Sequence, residues 1–346
     1  MLLSSVGLTG CAQVQSAAED TKVVTDILGR EVEIPKNPER IVCLYAATAH
    51  MIALVDETER IVGAPGGVRR DVLMRLKYPA IAEVSTPMQE GSINAEELLR
   101  LEPDLVLLRR NIANSPSESE KLSNLGIPYL VVDFYSIDEL KRCLVIIGEV
   151  FNRQDIIAQY LAYMDAIFDM VDTRLEGLYE HEKIRVFHSV NDTLRTAAPG
   201  GISHETTRRA GIINVAVQDE PAIGFVTTVD ATLEQVYRWD PDAIIVNEYF
   251  AVPYIMMHAG WSGLTAVMNE MVVSLPLGIS RWNHHGSIEP HMAALFLAWR
   301  FYPDRFSDID LHAITLDYYT RFFELDMDDE LVGRILSGEG MRVPRG

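Results

Sequence analysis

The stretch that decides the fold lies mid-chain, where residues 152–180 read NRQDIIAQYLAYMDAIFDMVDTRLEGLYE. Its apolar side chains recur every three or four residues, which is the spacing of one helical face. No proline interrupts the stretch, and about 25 residues at about 1.5 Å each make a rod of roughly 40 Å. An ordinary surface helix could give this pattern. The similarity of the chain on either side favours a rigid strut between two lobes.

An internal repeat carries that similarity. Residues 95–107, AEELLRLEPDLVL, align without gaps on residues 233–245, LEQVYRWDPDAII. Each copy predicts a helix that ends before an acid-Pro-Asp turn, followed by a buried strand. Helix-turn-strand units of this kind are a common local arrangement, so two similar copies could also occur without duplication. Equal lengths of chain on either side of the long helix favour a duplicated architecture.

Strand and helix patterns alternate in both halves, which predicts layered α/β lobes with mainly parallel sheets. Residues 23–34 predict a hairpin. The predicted strands are residues 40–45, 61–63, 105–108, 129–132, 183–187, 243–246 and 271–275, and the predicted helices include 47–55, 117–125, 290–302 and 315–336. We therefore expect two Rossmann-like lobes joined by a single long rigid helix, with a ligand cleft between them. The predicted boundaries are a leader and tether at 1–22, an N-terminal lobe at 23–150, a linking helix at 151–180, and a C-terminal lobe with closing helices at 181–346.

Charge and composition exclude several functions. The chain has 50 acidic and 30 basic side chains and a formal net charge of -20, which disfavours nucleic acid and anionic lipid as partners. No apolar run reaches the roughly 18 residues that cross a bilayer. The chain has no Gly-x-x-x-x-Gly-Lys phosphate loop, Gly-x-Ser-x-Gly elbow or His-Glu-x-x-His pair. Its three cysteines are dispersed and imply neither a disulfide framework nor a metal cluster.

The first cysteine has a distinctive setting. Residues 8–11, Leu-Thr-Gly-Cys, follow a short apolar leader and precede a polar segment. They resemble the lipobox of bacterial lipoproteins, although no basic residue precedes Cys11. We expect lipidation at Cys11, and hence a protein outside the cytoplasm that contacts the membrane only through this lipid anchor.

These features together resemble one known family. The lipobox-like segment, the strand that opens Arg40-Ile41-Val42, the repeated glutamate-bearing helix and the long central helix are similar to the solute-binding proteins of ABC importers for iron-siderophores, haem and cobalamin. Residues 301–310, FYPDRFSDID, with Tyr318 and Tyr319 after them, also resemble a subgroup for iron chelates.

The resemblance implies a monomer with no intrinsic cofactor, which holds a ferric siderophore or other metal chelate in its cleft. It further implies delivery to a permease dimer and its ATPase. Glu96 and Glu234 match the glutamates with which the family docks on permease arginines. The alternatives are haem or a corrinoid within the same transporter class and, outside it, a secreted metal-binding sensor or an enzyme on the same scaffold.

Ligands of parallel α/β lobes bind beyond the carboxyl ends of the strands. Arginine pairs with carboxylate or catecholate oxygens, and aromatic side chains offer flat apolar contact. Arginine pairs at strand ends are therefore expected to concentrate positive charge in the cleft of this acidic protein. The candidate ligand-binding residues are Tyr45, Arg69, Arg70, Arg109, Arg110, Tyr135, His188, Asn191, Asn247, Tyr249, Arg281 and Trp282.

His284 and His285 are candidate metal ligands, with His188 able to approach from a neighbouring strand. Adjacent histidines on a loop are expected to point apart, so that only one of the pair would face the cleft. The alternative is that one histidine packs or hydrogen-bonds while the other is exposed to solvent.

Overall fold

The computed structural model describes residues 20–89, 91–190, 193–217 and 226–344. Cys11 and Asn191 lie outside these ranges, so the predictions made for them are not addressed by the structure. No helix within the described ranges is both long enough and apolar enough to cross a bilayer.

The N-terminal lobe opens with the predicted hairpin. Strands β1 (Thr21–Thr25) and β2 (Glu31–Pro35) pair antiparallel. The other strands of this lobe are β3 (Ile41–Cys43), β4 (Ile61–Gly63), β5 (Met88–Gln89), β6 (Ser92–Ile93), β7 (Leu105–Leu108) and β8 (Tyr129–Val131). Strands β4, β3, β7 and β8 form a parallel sheet in that order, while β5 and β6 make a separate small hairpin.

Helices flank the sheet of the N-terminal lobe. They are α1 (Ala46–Leu54), α2 (Val72–Lys77), α3 (Ala95–Arg100), α4 (Arg110–Ala113), α5 (Pro116–Leu125) and α6 (Ile137–Phe151). Helix α5 ends where predicted, because Gly126 adopts the left-handed conformation with φ of 65°. The strand ends point towards α1 and α4, and this geometry places Tyr45 and Arg109 at one edge of the sheet.

The long central helix is confirmed, and it is shorter than expected. Helix α7 (Gln154–Leu175) spans 22 residues instead of the predicted 151–180. Helix α6 and the residues Asn152 and Arg153 precede it, and Gly177, with φ of 78°, follows its last turn. A glycine in the left-handed region ends a helix at little cost, which explains the early stop.

The C-terminal lobe repeats the parallel arrangement. Its strands are β9 (Arg185–Ser189), β10 (Arg195–Ala197), β11 (Ile213–Asn214), β12 (Thr228–Asp230), β13 (Ala243–Val246) and β14 (Val272–Ser274). The sheet order is β12-β10-β9-β13-β14, and β11 also pairs with β9. Strands β9, β11, β13 and β14 run parallel, whereas β10 and β12 add an antiparallel edge.

The helices of this half are α8 (Ile202–Arg209), α9 (Leu233–Trp239), α10 (Ala251–Met257), α11 (Thr265–Met268), α12 (Pro290–Phe301), α13 (Leu311–Phe323) and α14 (Asp329–Ser337). The helical region expected over 315–336 consists of two helices, since Glu324 adopts φ of 52° at the end of α13. Helix α7 packs on α6 and on α12, so the strut belongs to both lobes. Its Tyr160 hydroxyl donates to the Ile288 carbonyl over 2.8 Å.

The internal repeat has the same structure in both lobes. In the first copy Asp104 accepts the backbone N–H of Arg40, and the Arg40 guanidinium donates to the Leu101 carbonyl. In the second copy Asp242 accepts the N–H of Arg185, whose guanidinium donates to the Trp239 carbonyl. Each arginine thus ties the start of one parallel strand, β3 or β9, to the end of the repeated helix in its lobe. The fold is two similar parallel α/β lobes joined by a long helix, as expected.

Candidate functional site

The N-terminal wall of the cleft is built at the ends of β3, β7 and β8. Tyr45 is 7% exposed and precedes α1. The guanidinium carbon of Arg109 lies 4.7 Å from the centroid of the Tyr45 ring, and its Nε donates to Asp133 over 3.2 Å. The fully buried Asp133 also accepts the backbone N–H groups of Arg110 and Phe134. Asp133 therefore fixes Arg109 against Tyr45.

Arg110 and Tyr135 extend this wall. Arg110 donates to Glu139 over 2.6 Å, and its guanidinium carbon lies 5.3 Å from the centroid of the Tyr135 ring. Glu139 also accepts the backbone N–H of Tyr135 over 2.8 Å. These contacts hold the segment after β8 in place.

The C-terminal wall begins with His188 and Asn247, at the ends of β9 and β13. The Asn247 amide donates from Nδ2 to the Trp282 carbonyl over 2.9 Å, so its Oδ1 faces Nε2 of His188 at 2.8 Å. An oxygen acceptor there requires the proton on Nε2. The Nδ1 of His188 is then an unprotonated nitrogen, and this buried atom has no hydrogen-bond partner among the described residues.

Arg281 lies between an acid and a histidine. It donates from Nη1 to Glu248 over 2.5 Å and from Nη2 to Nε2 of His284 over 2.8 Å. The rings of His284 and His285 lie side by side, with centroids 3.9 Å apart and planes at 37°. The expectation that the two histidines point apart is therefore wrong. Asn283, with φ of 54°, turns the backbone immediately before the pair.

The two walls meet at this loop. A Cβ placed on Gly286 would lie 3.0 Å from Oη of Tyr45, so the loop touches the N-terminal lobe. Beside the contact is a small cavity of about 10 Å³, lined from the N-terminal lobe by Phe134 and Tyr135, and from the other lobe by His285 and residues that include Ala198. That volume corresponds to about one water molecule.

Two polar atoms from opposite lobes lack hydrogen-bond partners at this junction. Oη of Tyr45 and Nδ1 of His285 are buried, and no described residue bonds either atom. Buried polar atoms are nearly always paired in folded proteins, so an unpaired atom calls for a specific explanation. An atom of a bound ligand is one such explanation.

The electrostatics of the site differ from the expected concentration of positive charge. Arg109, Arg110 and Arg281 are paired with Asp133, Glu139 and Glu248 respectively. The histidines are neutral as well. Burial lowers the pKa of His188 to about 4 and that of His285 to about 3, and burial also holds the pKa of His284 well below its usual range. The site therefore offers directed hydrogen bonds in a region of low polarity, with little net charge.

The loop that carries the histidines is held by a buried carboxylate that the sequence did not single out. Glu289 is fully buried and accepts the N–H and the hydroxyl of Ser280 over 2.7 and 2.6 Å, and the hydroxyl of Tyr319 over 2.5 Å. The Tyr319 oxygen accepts in turn the indole N–H of Trp282 over 3.1 Å. Trp282 is accordingly fully buried in the core, away from the cleft surface where it was expected.

Other predicted residues also lie apart from the cavity. Arg69 donates to the Ala82 carbonyl and lines a polar surface groove with Glu97. Arg70 lies beside the Gly66 carbonyl, and Tyr249 lines an apolar surface groove on the C-terminal lobe. Within the described ranges, no three His, Cys, Asp or Glu side chains are grouped so that they could hold a metal ion.

Two residues of the candidate site that the sequence analysis did not select also follow the strand-end rule. Asp133 directly follows the predicted strand 129–132, and Glu248 comes two residues after the predicted strand 243–246, so the strand-end rule applies to them as well. Arginine and aromatic side chains were selected there and the acids were overlooked. Nothing in the sequence around Glu289 signals its role, because its partners come from distant segments.

Glu96 and Glu234 occupy equivalent places in the two lobes. Each is the second residue of its helix, and both side chains are exposed. The residues before these helices cap them in the same way: Asn94 accepts the N–H of Glu97 over 3.1 Å, and Thr232 that of Gln235 over 3.2 Å.

Comparison with known proteins identifies the family. The family described as "Periplasmic binding protein" matches residues 41–277. The chain belongs to this family. The molybdate-binding protein MolA of Haemophilus influenzae is 26% identical over 348 residues, covering 93% of this chain and 94% of that protein. Its molybdate-bound structure has a TM-score of 0.79 at 25% identity, and covers 89% of this chain and 99% of that one.

Other members differ in their ligands. The ABC transporter substrate-binding lipoprotein YvrC of Bacillus subtilis is 23% identical and covers 89% of this chain and 97% of that protein. The ferric-anguibactin-binding protein FatB of Vibrio anguillarum is 29% identical over 179 residues, which is 49% of this chain and 53% of that protein. This periplasmic binding protein is thus a substrate-binding protein of the ABC-importer class. Because its relatives bind different ligands, its own ligand has to be inferred from the geometry of the site.

Proposed function

We propose that this protein captures a small oxyanion of the molybdate type outside the cytoplasm and delivers it to an ABC permease. The observation that carries the proposal is a pair of buried, unpartnered atoms at the contact between the lobes, Oη of Tyr45 and Nδ1 of His285. Tyr45 comes from the N-terminal lobe and lies against Gly286, and His285 comes from the C-terminal lobe and lines the small cavity beside that contact. A tetrahedral oxyanion presents acceptor oxygens in several directions. Donors from two lobes can meet these oxygens at once, which favours closure around the ion.

Size and charge support the same choice. Arg109 stacks on Tyr45 and lies near enough to lower the pKa of His285, so a guanidinium borders the same junction. The described walls already touch at Gly286, and a guest of a few atoms needs less opening than a bulky chelate. The relation to the Haemophilus protein, which covers nearly the whole of both chains, agrees with this proposal.

A metal chelate such as a ferric siderophore is the second candidate. The unprotonated Nδ1 of His188 favours it, because a neutral imidazole nitrogen can fill an open position on a chelated metal. The partial similarity to the ferric-anguibactin-binding protein points the same way. Haem or a corrinoid would require the widest opening of the cleft. In either case the protein is proposed to act as a carrier without catalysis.

The test is calorimetric titration of the purified protein with sodium molybdate, sodium tungstate, sodium sulfate, a ferric siderophore, haemin and cobalamin. We expect saturable binding of molybdate and tungstate. Binding of the ferric siderophore with no response to either oxyanion would replace the first candidate by the second.

Two further features are proposed from the sequence. Cys11 is proposed to carry the lipid that tethers the protein to the membrane. Mass spectrometry of the protein from membranes, with Cys11→Ser as control, tests this proposal. Glu96 and Glu234 are proposed to dock on the two subunits of the permease, because a two-fold partner requires equivalent contacts on both lobes.

A further inference from the structure

Residues 341–344 cross from one lobe to the other. They follow α14, which is tied to the C-terminal lobe by the backbone N–H of Leu277 donating to the Ile335 carbonyl over 3.0 Å. The next contact is with the N-terminal lobe, where the N–H of Val72 donates to the Met341 carbonyl over 3.1 Å. Met341 is fully buried, so this crossing is packed into the molecule.

Arg342 sits at the middle of the crossing and contacts an acid of each lobe. Its Nε donates to Oδ1 of Asp71 in the N-terminal lobe over 2.9 Å, and its Nη1 lies 4.0 Å from Oε1 of Glu248 in the C-terminal lobe. The exposed fractions of the side chains are 20% for Arg342, 9% for Asp71 and 16% for Glu248. Water therefore screens these charges less than it screens an exposed pair.

The same glutamate connects Arg342 to the cleft. Oε1 of Glu248 also accepts Nη1 of Arg281 over 2.5 Å, and Arg281 in turn holds His284. The ring of His284 lies against that of His285, which lines the interlobe cavity. A chain of direct contacts thus runs from the crossing segment to the ligand cavity.

We infer that Arg342 is a positioning residue of the ligand site, which joins the two lobes through Asp71 and Glu248 and fixes Arg281 and the histidine loop through Glu248. The inference rests on the proposed function only for the identity of the ligand. Loss of the guanidinium removes the positive charge that lies beside both Asp71 and Glu248. Glu248 then keeps its ion pair with Arg281 but loses its link to the crossing segment, so the position of this pair is held by one contact fewer.

The first experiment is hydrogen–deuterium exchange of the full chain without ligand, on the wild type and on Arg342→Met, Arg342→Lys and Arg300→Met. Arg300→Met is the control because Arg300 is an exposed arginine on α12. We expect Arg342→Met to speed exchange in residues 281–287 by about tenfold. Arg342→Lys should lie between Arg342→Met and the wild type, and Arg300→Met should match the wild type. Unchanged exchange in 281–287, in a folded Arg342→Met protein, overturns the inference.

The second experiment separates positioning from a purely structural role. Affinity for sodium molybdate is measured for Arg342→Met, Glu248→Gln and the double variant. If Arg342 acts through Glu248, the double variant binds about as weakly as Glu248→Gln alone. Independent effects that multiply in the double variant would make the crossing segment a structural strap only, and would overturn the positioning role.

Failure of the inference and failure of the proposed function give different results. If the wild type binds a ferric siderophore and no oxyanion, the proposed ligand is wrong, and the same variants are then titrated with that siderophore. The exchange experiment contains no ligand, so its outcome judges the role of Arg342 whichever ligand the protein carries.

Discussion

At the residue scale, the cleft shows how arginine can serve recognition in a protein with a net charge of -20. Each cleft arginine has a carboxylate partner that fixes its direction, as Asp133 does for Arg109. These carboxylates offset the positive charge of the cleft arginines. The contact with the Tyr45 ring holds the plane of the Arg109 guanidinium. In the proposed site, such an arginine would select a ligand by the geometry of its hydrogen bonds, because its long-range attraction is largely cancelled.

Arg109 provides the first prediction at this scale. Arg109→Met keeps the aliphatic stem and removes the charged hydrogen-bond donors. The binding free energy for molybdate should therefore become less favourable by about 1.5–3 kcal/mol. Calorimetric titration measures the change. Arg69→Met is the matched control, because Arg69 lies in a groove away from the cavity and its loss should leave affinity unchanged. Equal affinities of wild type and Arg109→Met would remove Arg109 from the site.

His291 provides the second prediction at the residue scale. It is fully buried among aromatic rings, neither ring nitrogen has a partner among the described residues, and burial lowers its pKa from 6.5 to about 3. The unfolded chain binds the proton more readily, so the stability from a neutral His291 is present above pH 6.5 and is lost as the pH falls towards 3. Between pH 7 and pH 5 this histidine should cost about 2 kcal/mol of unfolding free energy.

Urea unfolding at both pH values measures that cost. His291→Phe keeps the edge-on contacts with Tyr160 and Tyr318 and removes the titrating group, so its stability should fall less between pH 7 and pH 5 than that of the wild type. His181→Gln, at an exposed site, should behave as the wild type. The same pH dependence in wild type and His291→Phe would contradict the assignment.

At the element scale, the sequence predicted which elements exist better than where they end. Strands such as 105–108 and 243–246 coincide with β7 and β13, because short apolar runs bounded by turn residues have few alternatives. The central helix was predicted to be too long, and the break between α13 and α14 inside the last helical region was not predicted. The ends of α7 and α13 are accompanied by the left-handed conformations of Gly177 and Glu324. Glycine is a recognisable signal for such a stop, whereas a glutamate in that conformation is not.

The site was predicted less completely than the fold. Tyr45, Arg109, Tyr135 and His285 do converge, because the ends of parallel strands share one edge of each sheet. Trp282 was placed incorrectly, since the direction of a side chain in a long loop follows from its packing and has no periodicity. Arg342 reaches the cleft from a segment far along the chain, and only the tertiary structure shows this.

The loop between β14 and α12 gives the third prediction. A Cβ on Gly278 would overlap the Tyr319 hydroxyl and crowd Glu289, so Gly278→Ala should destabilise the protein by about 1–3 kcal/mol. Chemical denaturation measures this change. Gly333→Ala is the control, because this glycine lies within α14 with open space around it, and alanine there should stabilise by about 0.5–1 kcal/mol. Gly278→Ala should cost less in a Tyr319→Phe background than in the wild type, because the overlapping hydroxyl is then absent. An equal cost in both backgrounds would mean that the crowding has another source.

At the scale of the whole molecule, the duplicated architecture bears most directly on the proposed docking to the permease. The two lobes present Glu96 and Glu234 at the same position of equivalent capped helices, and the shared helix α7 packs against helices of both lobes. The distance between the glutamates then depends on the lobes being held together. In the proposed docking, a two-fold permease would require that distance to match the spacing of its own two subunits.

The fourth prediction follows from this arrangement. Both glutamates are exposed and lie on the short helices of the repeat, so Glu96→Ala and Glu234→Ala should leave ligand affinity unchanged. Each should weaken docking, because a glutamate at the rim of an interface contributes to the encounter and to charge pairing with arginine. In liposomes that contain the cognate permease and ATPase, stimulation of ATP hydrolysis should fall by roughly tenfold for each variant, and further for the pair. Glu330→Ala, an exposed acid on α14, should stimulate as the wild type does. Normal stimulation by the double variant would show that these glutamates take no part in docking, and a loss from only one of them would show that the permease does not use the two lobes equivalently.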